Sequence, residues 1–157
     1  GEFCRQFELP IWPDATNEDT RYARNRIRLE LLPYLQKHFN PGAELTLANT
    51  AELLTAEVEL LETMAGELYE VAVSSPSTDT EAWKIQRPPL RAAPLALQRR
   101  VLRRVLRQVT VAQVGFDHIE KLVTLLTAPN GSQSDPFPGG AIAVVEGDCV
   151  VVRGIAP

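Results

Sequence analysis

The sequence predicts a mainly α (α+β) protein, with a helical segment containing one long helix and then a small helical domain that ends in a β-hairpin or a short antiparallel sheet. Three observations predict this class. Leucine and alanine recur every three or four residues over about 43–73, as on one face of a long helix. A second amphipathic stretch covers about 95–109. Two valine-rich runs near the C-terminus flank Gly147-Asp148, a pair typical of tight hairpin turns.

Composition fits a globular protein with no membrane segment. The chain has 157 residues, of which 45% are hydrophobic. No apolar run is long enough to span a bilayer, and the N-terminus lacks a signal-peptide pattern. Cys4 and Cys149 are too few and too distant for a disulfide framework, so a reducing cytoplasm is predicted. His38 and His118 have no partner at ligand spacing, and no metal site is predicted.

Charge is distributed unevenly along the chain. Residues 1–80 carry 14 acidic and 6 basic side chains, whereas residues 81–157 carry 6 acidic and 10 basic ones. The net charge of -4 hides this asymmetry. It predicts that a polyanion contacts the second half and the arginines near the start, and avoids the middle of the chain.

The first polar stretch leads into a helix that carries an arginine cluster. Thr16 and Asp19 stand three apart, loosely like a capping box, and a helix is expected from about Asp19 to Phe39, with a kink or a new start at Pro33. Its apolar stripe should hold the segment against a body (Ile27, Leu31 and Leu35). Its arginines fit either a solvated face or an anion site, and they flank an asparagine (Arg24, Asn25, Arg26 and Arg28).

The long helix has an apolar face and an acidic face. The apolar face is predicted to be core, with Met64 widening the leucine stripe. The other face carries seven glutamates and no basic residue, which is typical of a solvated surface or of one that repels RNA. A polar break over 74–80 marks a domain boundary.

The next part of the chain contains a row of arginines. Trp83–Gln86 is predicted to be a short strand that ends at Pro88-Pro89, and Pro94 begins a helix. Five arginines lie opposite the apolar side of that helix, with no glutamate between them (Arg99, Arg100, Arg103, Arg104 and Arg107). Like charges this close repel one another. The row therefore predicts contact with an RNA backbone; the alternatives are a solvated face and ion pairs with the acidic helix.

A third helix and a hairpin complete the domain. Asp117 is predicted to be its N-cap, with Glu120 three residues later as in a capping box. The hairpin is expected over 141–146 and 149–153 with a two-residue turn, and Trp83–Gln86 could add a third strand. Cys149 is predicted to be a small buried hydrophobe.

One long motif resembles a known family. Asp14-Ala-Thr-Asn-x-Asp, Tyr22-Ala-Arg-Asn-Arg-Ile-Arg and Glu30-Leu-Leu-Pro33 are similar to a block of the tRNA(Ile)-lysidine synthases. The later order of arginine-rich helix, short helix, Pro-Gly-Gly and hairpin is more loosely similar to their substrate-binding domain. The resemblance implies an ATP-dependent ligase that attaches lysine to the wobble cytidine of tRNA(Ile). It implies catalytic roles for Arg24, Arg26 and Arg28, a nucleotide contact for Asn25, and tRNA contacts for the five later arginines.

One departure from the family is large. The Ser-Gly-Gly-x-Asp-Ser loop that holds ATP in that family is missing, and the only Gly pair is Gly139-Gly140. The chain is therefore expected to be the C-terminal part of such an enzyme, inactive alone. Residues 1–42 would be the tail of the catalytic domain, 43–79 the long helix and linker, and 80–157 the tRNA-binding domain.

The resemblance also implies partners and cofactors. ATP and Mg²⁺ would be bound mainly by the preceding domain, and no cofactor is expected in this chain alone. The partners would be tRNA(Ile), free lysine and ATP, with a homodimer as a further option and no membrane. Two other functions fit the residues without the resemblance: a non-enzymatic helical module that recruits a protein, and an RNA-binding domain of another modifying enzyme.

Overall fold

A computed structural model describes residues 19–76, 82–110 and 112–154. The chain forms two compact units, Gly1–Thr55 and Ala56–Pro157. The fold is α+β with one long helix and a small antiparallel sheet, which confirms the predicted class. In the described residues, no helix combines the length and the apolar character needed to cross a bilayer. The compact units do not show what each part of the chain does. The predicted domain boundaries after residues 42 and 79 therefore stay predictions.

The first unit contains a helix with a local change of winding. Helix α1 (Ala23–Arg26) continues into a π-helical turn (Ile27–Leu31) and then into α2 (Leu32–His38). The N–H of Leu32 donates to the carbonyl of Ile27, five residues back, directly before Pro33. Proline has no N–H to donate and fits the first turn of a helix. The segment is therefore helical from Ala23 to His38, with its winding changed directly before Pro33, and it begins at Ala23 rather than at the predicted Asp19. Thr16 lies outside the described residues.

The apolar stripe of this first segment is not covered by described residues. Ile27 and Leu31 are each 47% exposed, and only Leu35 is half-buried. The expectation that the stripe packs against a body is not met within the described part of the chain. A helical period in the sequence shows which side chains share one face of a helix. It does not show which residues pack against that face.

Helix α3 (Ala43–Ala72) is the long helix that the period predicted. Its last turns pack on the core of the second unit through one face (Leu61, Ala65, Leu68, Tyr69 and Ala72). Leu60 and Met64 are 62% and 42% exposed, so the prediction that Met64 belongs to the core is wrong. Leu60 and Met64 lie at the edges of the apolar face of α3, outside the part of that face that packs on the core.

The sheet of the second unit has four antiparallel strands in the order β1-β2-β4-β3. They are β1 (Val73–Ser74), β2 (Ala82–Gln86), β3 (Ile142–Glu146) and β4 (Cys149–Arg153). The predicted hairpin and its third strand are confirmed, with Trp83 opposite Val152 and Val145 opposite Val150. Strand β1 was not predicted, because two residues are too few to show a period.

Three helices pack with this sheet around one core. They are α4 (Arg87–Ala92), α5 (Leu95–Val109) and α6 (Phe116–Thr127). The fully buried residues come from each helix and from the sheet, among them Leu90, Leu102, Leu122 and Val150. Pro88-Pro89 does more than end a strand, since the two prolines lie in the first turn of α4, where a missing N–H costs nothing.

The start of α6 and one cysteine differ from expectation. The N-cap is Gly115, not Asp117, and its N–H donates to Nδ1 of His118 at 3.0 Å. Glu120 instead binds Arg99, because that arginine is within reach of an ion pair.

Cys149 is half-buried rather than buried, since it lies at the start of β4 beside the turn.

Candidate functional site

The first arginine cluster lies at the start of the helical segment in the first unit. Arg24, Arg26 and Arg28 are all exposed. The guanidinium of Arg24 lies 5.9 Å from the centre of the Tyr22 ring, within the range of a cation–π contact. Directly before the helix, Arg21 and Asp19 form an ion pair with an N–O distance of 2.7 Å. The hydrogen bonds from Arg21 lower the pKa of Asp19.

Asn25 has different surroundings from the arginines on either side of it. It is only 1% exposed, and its Nδ2 donates to the carbonyl of Asp19 at 2.9 Å. The same asparagine's backbone N–H donates to the carbonyl of Tyr22 at 3.0 Å. Asn25 therefore closes the turn that leads into α1. Its predicted contact with a nucleotide stays a prediction.

One cavity of about 530 Å³ lies along this helix, on the face that carries Arg26. Its other walls are mainly apolar (Ala23, Ile27, Glu30, Leu31 and Tyr34). Among the described lining residues, Arg26 and Glu30 are the charged ones, and they stand beside an apolar floor.

Helix α5 carries the second cluster, and its two faces are sharply different. The apolar face is buried in the core (Leu97, Val101, Leu102, Val105 and Leu106). The five arginines lie on the remaining surface, where Arg99 and Arg100 are half-buried and Arg103, Arg104 and Arg107 are exposed. Because the core fixes the rotation of the helix, all five guanidinium groups stand on one side of it.

Arg99 is held by Glu120 of α6. Its Nε and one terminal nitrogen donate to the two carboxylate oxygens at 2.7 and 3.0 Å. Such two-point pairing is among the stronger hydrogen-bonded ion pairs in proteins. The hydrogen bond with Arg99 lowers the pKa of Glu120. The same guanidinium lies 5.2 Å from the centre of the Phe116 ring, so Arg99 fastens α5 to the first turns of α6.

Two further arginines of α5 contact the last turns of α3. Arg100 forms an ion pair with Glu62, a member of the acidic face. Arg104 lies over Tyr69, with 5.2 Å between the guanidinium carbon and the ring centre. The hydroxyl of Tyr69 donates to Gln108 at 3.0 Å, and burial raises its pKa. For Arg100, then, the alternative of an ion pair with the acidic helix is the one observed.

The remaining two arginines, Arg103 and Arg107, line a cavity of about 580 Å³ beyond the end of α5. Its other lining residues follow the helix (Thr110, Ala112, Gln113 and Val114). No acidic residue lines this cavity among the residues that the structure describes. It is therefore a concave surface with a positive rim.

Sequence reasoning missed one arginine that matters for the fold. Arg87 is 5% exposed, and its guanidinium donates to three backbone carbonyls, those of Leu126, Ala128 and Gly147, at 2.8, 2.5 and 2.9 Å. Two of these carbonyls end α6, where the helix dipole is negative and favours a cation. A lone arginine before two prolines gave no periodic signal, so only the folded structure shows its role.

The described residues offer no site for a resident metal or a phosphate loop of the P-loop kind. No three His, Cys, Asp or Glu side chains converge in the described ranges. Gly139 and Gly140 have φ angles of 87° and 83°, and the N–H of Gly140 donates to the carbonyl of Phe137 at 2.8 Å. This glycine pair is therefore a tight turn before β3.

Comparison with known proteins finds one matching domain family and several similar proteins. Residues 86–152 match the family described as the TilS substrate binding domain. A tRNA(Ile)-lysidine synthase of Nostoc sp. is 53% identical over 97% of this chain and 47% of its own length. Enzymes of the same name from Synechocystis sp. and Synechococcus sp. are 47% and 45% identical, each over 43% of its own length.

The matched region contains the arginine-rich helix α5, Arg87 with the carbonyls that it binds, strand β3 and nearly all of β4, whereas β2 contributes only its last residue. The similarity to the curated relatives extends further and takes in the Tyr22–Arg28 block. The chain spans about half the length of these relatives. Residues 86–152 are thus similar to a TilS substrate binding domain, and nearly the whole chain is similar to proteins named tRNA(Ile)-lysidine synthase.

Proposed function

We propose that this chain is the C-terminal part of an enzyme that ligates lysine to C2 of the wobble cytidine, C34, of tRNA(Ile). ATP would be converted to AMP and pyrophosphate. Two findings support the proposal: the similarity over nearly the whole chain to proteins named tRNA(Ile)-lysidine synthase, and the substrate binding domain over residues 86–152. ATP, with Mg²⁺ as its counter-ion, and lysine would be bound mainly by other parts of the whole protein.

The observation that carries the proposal is the arginine row of α5. A helix with five arginines and no acidic residue lies in the domain that matches a substrate binding family. Lysine and arginine contacts to phosphates provide most of the affinity of proteins for nucleic acid backbones. Such contacts position the RNA and leave base identity to be recognised elsewhere. The second unit would therefore hold and orient the tRNA.

The first arginine cluster would act nearer the chemistry. In the proposed reaction, the C2 oxygen of the cytidine attacks the α-phosphorus of ATP and pyrophosphate leaves. The side-chain amine of lysine then attacks C2, loses a proton, and AMP leaves with the oxygen. Negative charge is present on phosphate oxygens in both steps, where arginine donors are effective. Arg24, Arg26 and Arg28 are exposed, which supports that role.

The test uses the whole protein that contains this chain, with tRNA(Ile), ATP and lysine. Lysidine formation is expected from the whole protein and not from the chain alone. Arg24→Ala/Arg26→Ala is expected to lower the rate of ligation while tRNA affinity stays within about twofold, because these residues would act on the reacting phosphates. Absence of lysidine in the product of the whole protein would contradict the proposal.

A second candidate has its own supporting observation. Helix α3 exposes Leu53, Leu54, Val58 and Leu60, which would suit a helical module that recruits another protein. A chain of that kind would bind its protein partner without affinity for tRNA. An RNA-binding domain of a different modifying enzyme would bind RNA and leave C34 unmodified. Measuring tRNA(Ile) binding and lysidine together separates all three.

A further inference from the structure

The five arginines of α5 are not equivalent in the folded domain. Arg99 and Arg100 are engaged by carboxylates, and Arg104 lies over an aromatic ring. In the part of the chain that the structure describes, Arg103 and Arg107 have neither an acidic partner nor a ring partner. Both are exposed, and both line the cavity at the end of the helix. The row thus divides into three arginines used within the domain and two directed to solvent.

The cavity beside these two arginines has further polar groups. Thr110 is buried, and its Oγ1 accepts a hydrogen bond from the N–H of Ala112 at 3.1 Å, which holds the segment after α5. Gln113 follows on that segment and is exposed, so its amide offers two donors at the rim. Arginine forks and amide donors around a concave surface suit a group with several negative oxygens, such as a phosphate.

A purely structural role accounts for only part of this arrangement. A cation in the last turn of a helix is favoured by the helix dipole, which explains Arg107. Arg103 lies one turn earlier, where that effect has faded. Two like charges four residues apart on a helix repel each other by a few tenths of a kcal/mol. The pair is therefore unfavourable in the free domain unless an anion lies between or beside the two groups.

We propose that Arg103, Arg107 and Gln113 form a phosphate-binding site for the sugar–phosphate backbone of RNA. This inference rests on the proposed function, because it assigns the tRNA contact of that function to one end of α5. Side chains four residues apart on a helix are about 5–6 Å apart at Cβ, so both guanidinium groups can reach the same short stretch of backbone. Arg99 and Arg100 then position α5 through their carboxylate partners.

The salt dependence of tRNA binding tests this division. The whole protein and its Arg103→Gln/Arg107→Gln variant are compared for tRNA(Ile) affinity at roughly 50 and 200 mM salt. Each backbone contact adds a slope of about 0.7–0.9 in log affinity against log salt. Between those salt concentrations, the affinity of the variant should therefore fall about tenfold less than that of the unmodified protein.

A matched control removes the same charge elsewhere in the domain. Lys84 and Arg153 are exposed cations of the sheet, and Lys84→Gln/Arg153→Gln should leave the slope within error of the unmodified protein. A second variant, Gln113→Ala, keeps the charge and is expected to weaken binding a few-fold at unchanged slope. Thermal unfolding of each variant checks that the fold is retained, and both altered arginines are exposed.

The outcomes separate this inference from the proposed function. If the unmodified protein does not bind tRNA(Ile), both are overturned. If it binds and Arg103→Gln/Arg107→Gln keeps the full salt slope, the phosphate site is wrong while the proposed function stands. The last measurement is the binding of inorganic phosphate to the protein and its variant at constant ionic strength. If phosphate binds in an Arg103- and Arg107-dependent way while tRNA affinity is unaffected by the substitutions, the site takes a small anion and the RNA assignment is overturned.

Discussion

Arg87 shows how one side chain can join three parts of a small domain. It begins α4, and its guanidinium ties the end of α6 to the turn between β3 and β4. Its own N–H donates to the carbonyl of Asp148 in that turn at 2.8 Å. A buried charge is costly unless it is fully hydrogen-bonded, and here the helix C-terminus supplies the compensating negative potential.

Replacing Arg87 by methionine should destabilise the domain by about 3 kcal/mol, because the carbonyls of Ala128 and Gly147 lose the Arg87 donor and that of Leu126 keeps only Arg91. Arg91→Met is the matched control, since Arg91 is exposed and its Nε donates to the carbonyl of Leu126 at 2.5 Å. Its cost should be about 1 kcal/mol. Urea unfolding of the chain measures both. Equal urea midpoints for the two variants would show that the Arg87 hydrogen bonds do not provide the extra stability.

The ion pair between Arg99 and Glu120 predicts a pH dependence. The hydrogen bond from Arg99 lowers the pKa of Glu120 below its ordinary value of 4.5. The stabilisation is therefore complete above about pH 4.5 and is lost as pH falls through the lowered folded-state pKa. Both groups are substantially exposed, so the effect is small.

Unfolding midpoints of the chain and of its Glu120→Gln variant, measured from pH 7 to pH 3, check this expectation. The difference between the two should shrink below pH 4.5 and should be constant above it. A difference that grows towards acid pH would show that the sign is wrong.

Among the secondary-structure elements, helix α3 packs on the core along only part of its length. Its period is regular over about thirty residues, yet only its last turns pack on the core of the second unit. Leu60 and Leu68 lie on the same helix and differ in this respect, since Leu60 is 62% exposed whereas Leu68 packs against the core.

Leu68→Ala should therefore cost about 1–2 kcal/mol of stability. Leu60→Ala should stay within about 0.5 kcal/mol of the unmodified chain, because it loses little burial and alanine is a good helix former. Chemical unfolding of the two variants measures this contrast. A cost at Leu60 that matches the cost at Leu68 would show that the exposed face is covered in solution.

Across the whole molecule, charge is separated along the chain. The acidic face of α3 gives the first 80 residues their excess of negative charge, and the arginine-rich domain follows. Interactions between exposed charges extend over about 10 Å at 0.1 M salt. The acidic face should therefore disfavour the approach of a polyanion without making a specific contact.

Neutralising three exposed members of that face in one variant tests this expectation (Glu57→Gln, Glu59→Gln and Glu67→Gln). Affinity for tRNA(Ile) should rise at roughly 50 mM salt, and the gain should vanish near 200 mM as screening increases. Glu62 is left intact because it holds Arg100. A loss of affinity, or a gain that persists in high salt, would contradict a role through general repulsion.

The amino-acid sequence was enough to predict the α+β class, the long helix over Ala43–Ala72, the arginine helix over Leu95–Val109 and the hairpin that follows. These features depend on local period, turn chemistry and the position of proline, all of which act over a few neighbouring residues. It also carried the family likeness, in the block around Tyr22–Arg28 and in the later domain.

The folded structure was needed to show which charged side chains have partners within the domain. Arg99 and Arg100 meet carboxylates 21 and 38 residues away, and Arg87 reaches carbonyls 39 to 60 residues away. It also showed that Met64 is exposed and that Gly115, not Asp117, caps α6. Such contacts depend on how distant elements pack, and neither spacing nor propensity along the chain encodes that packing.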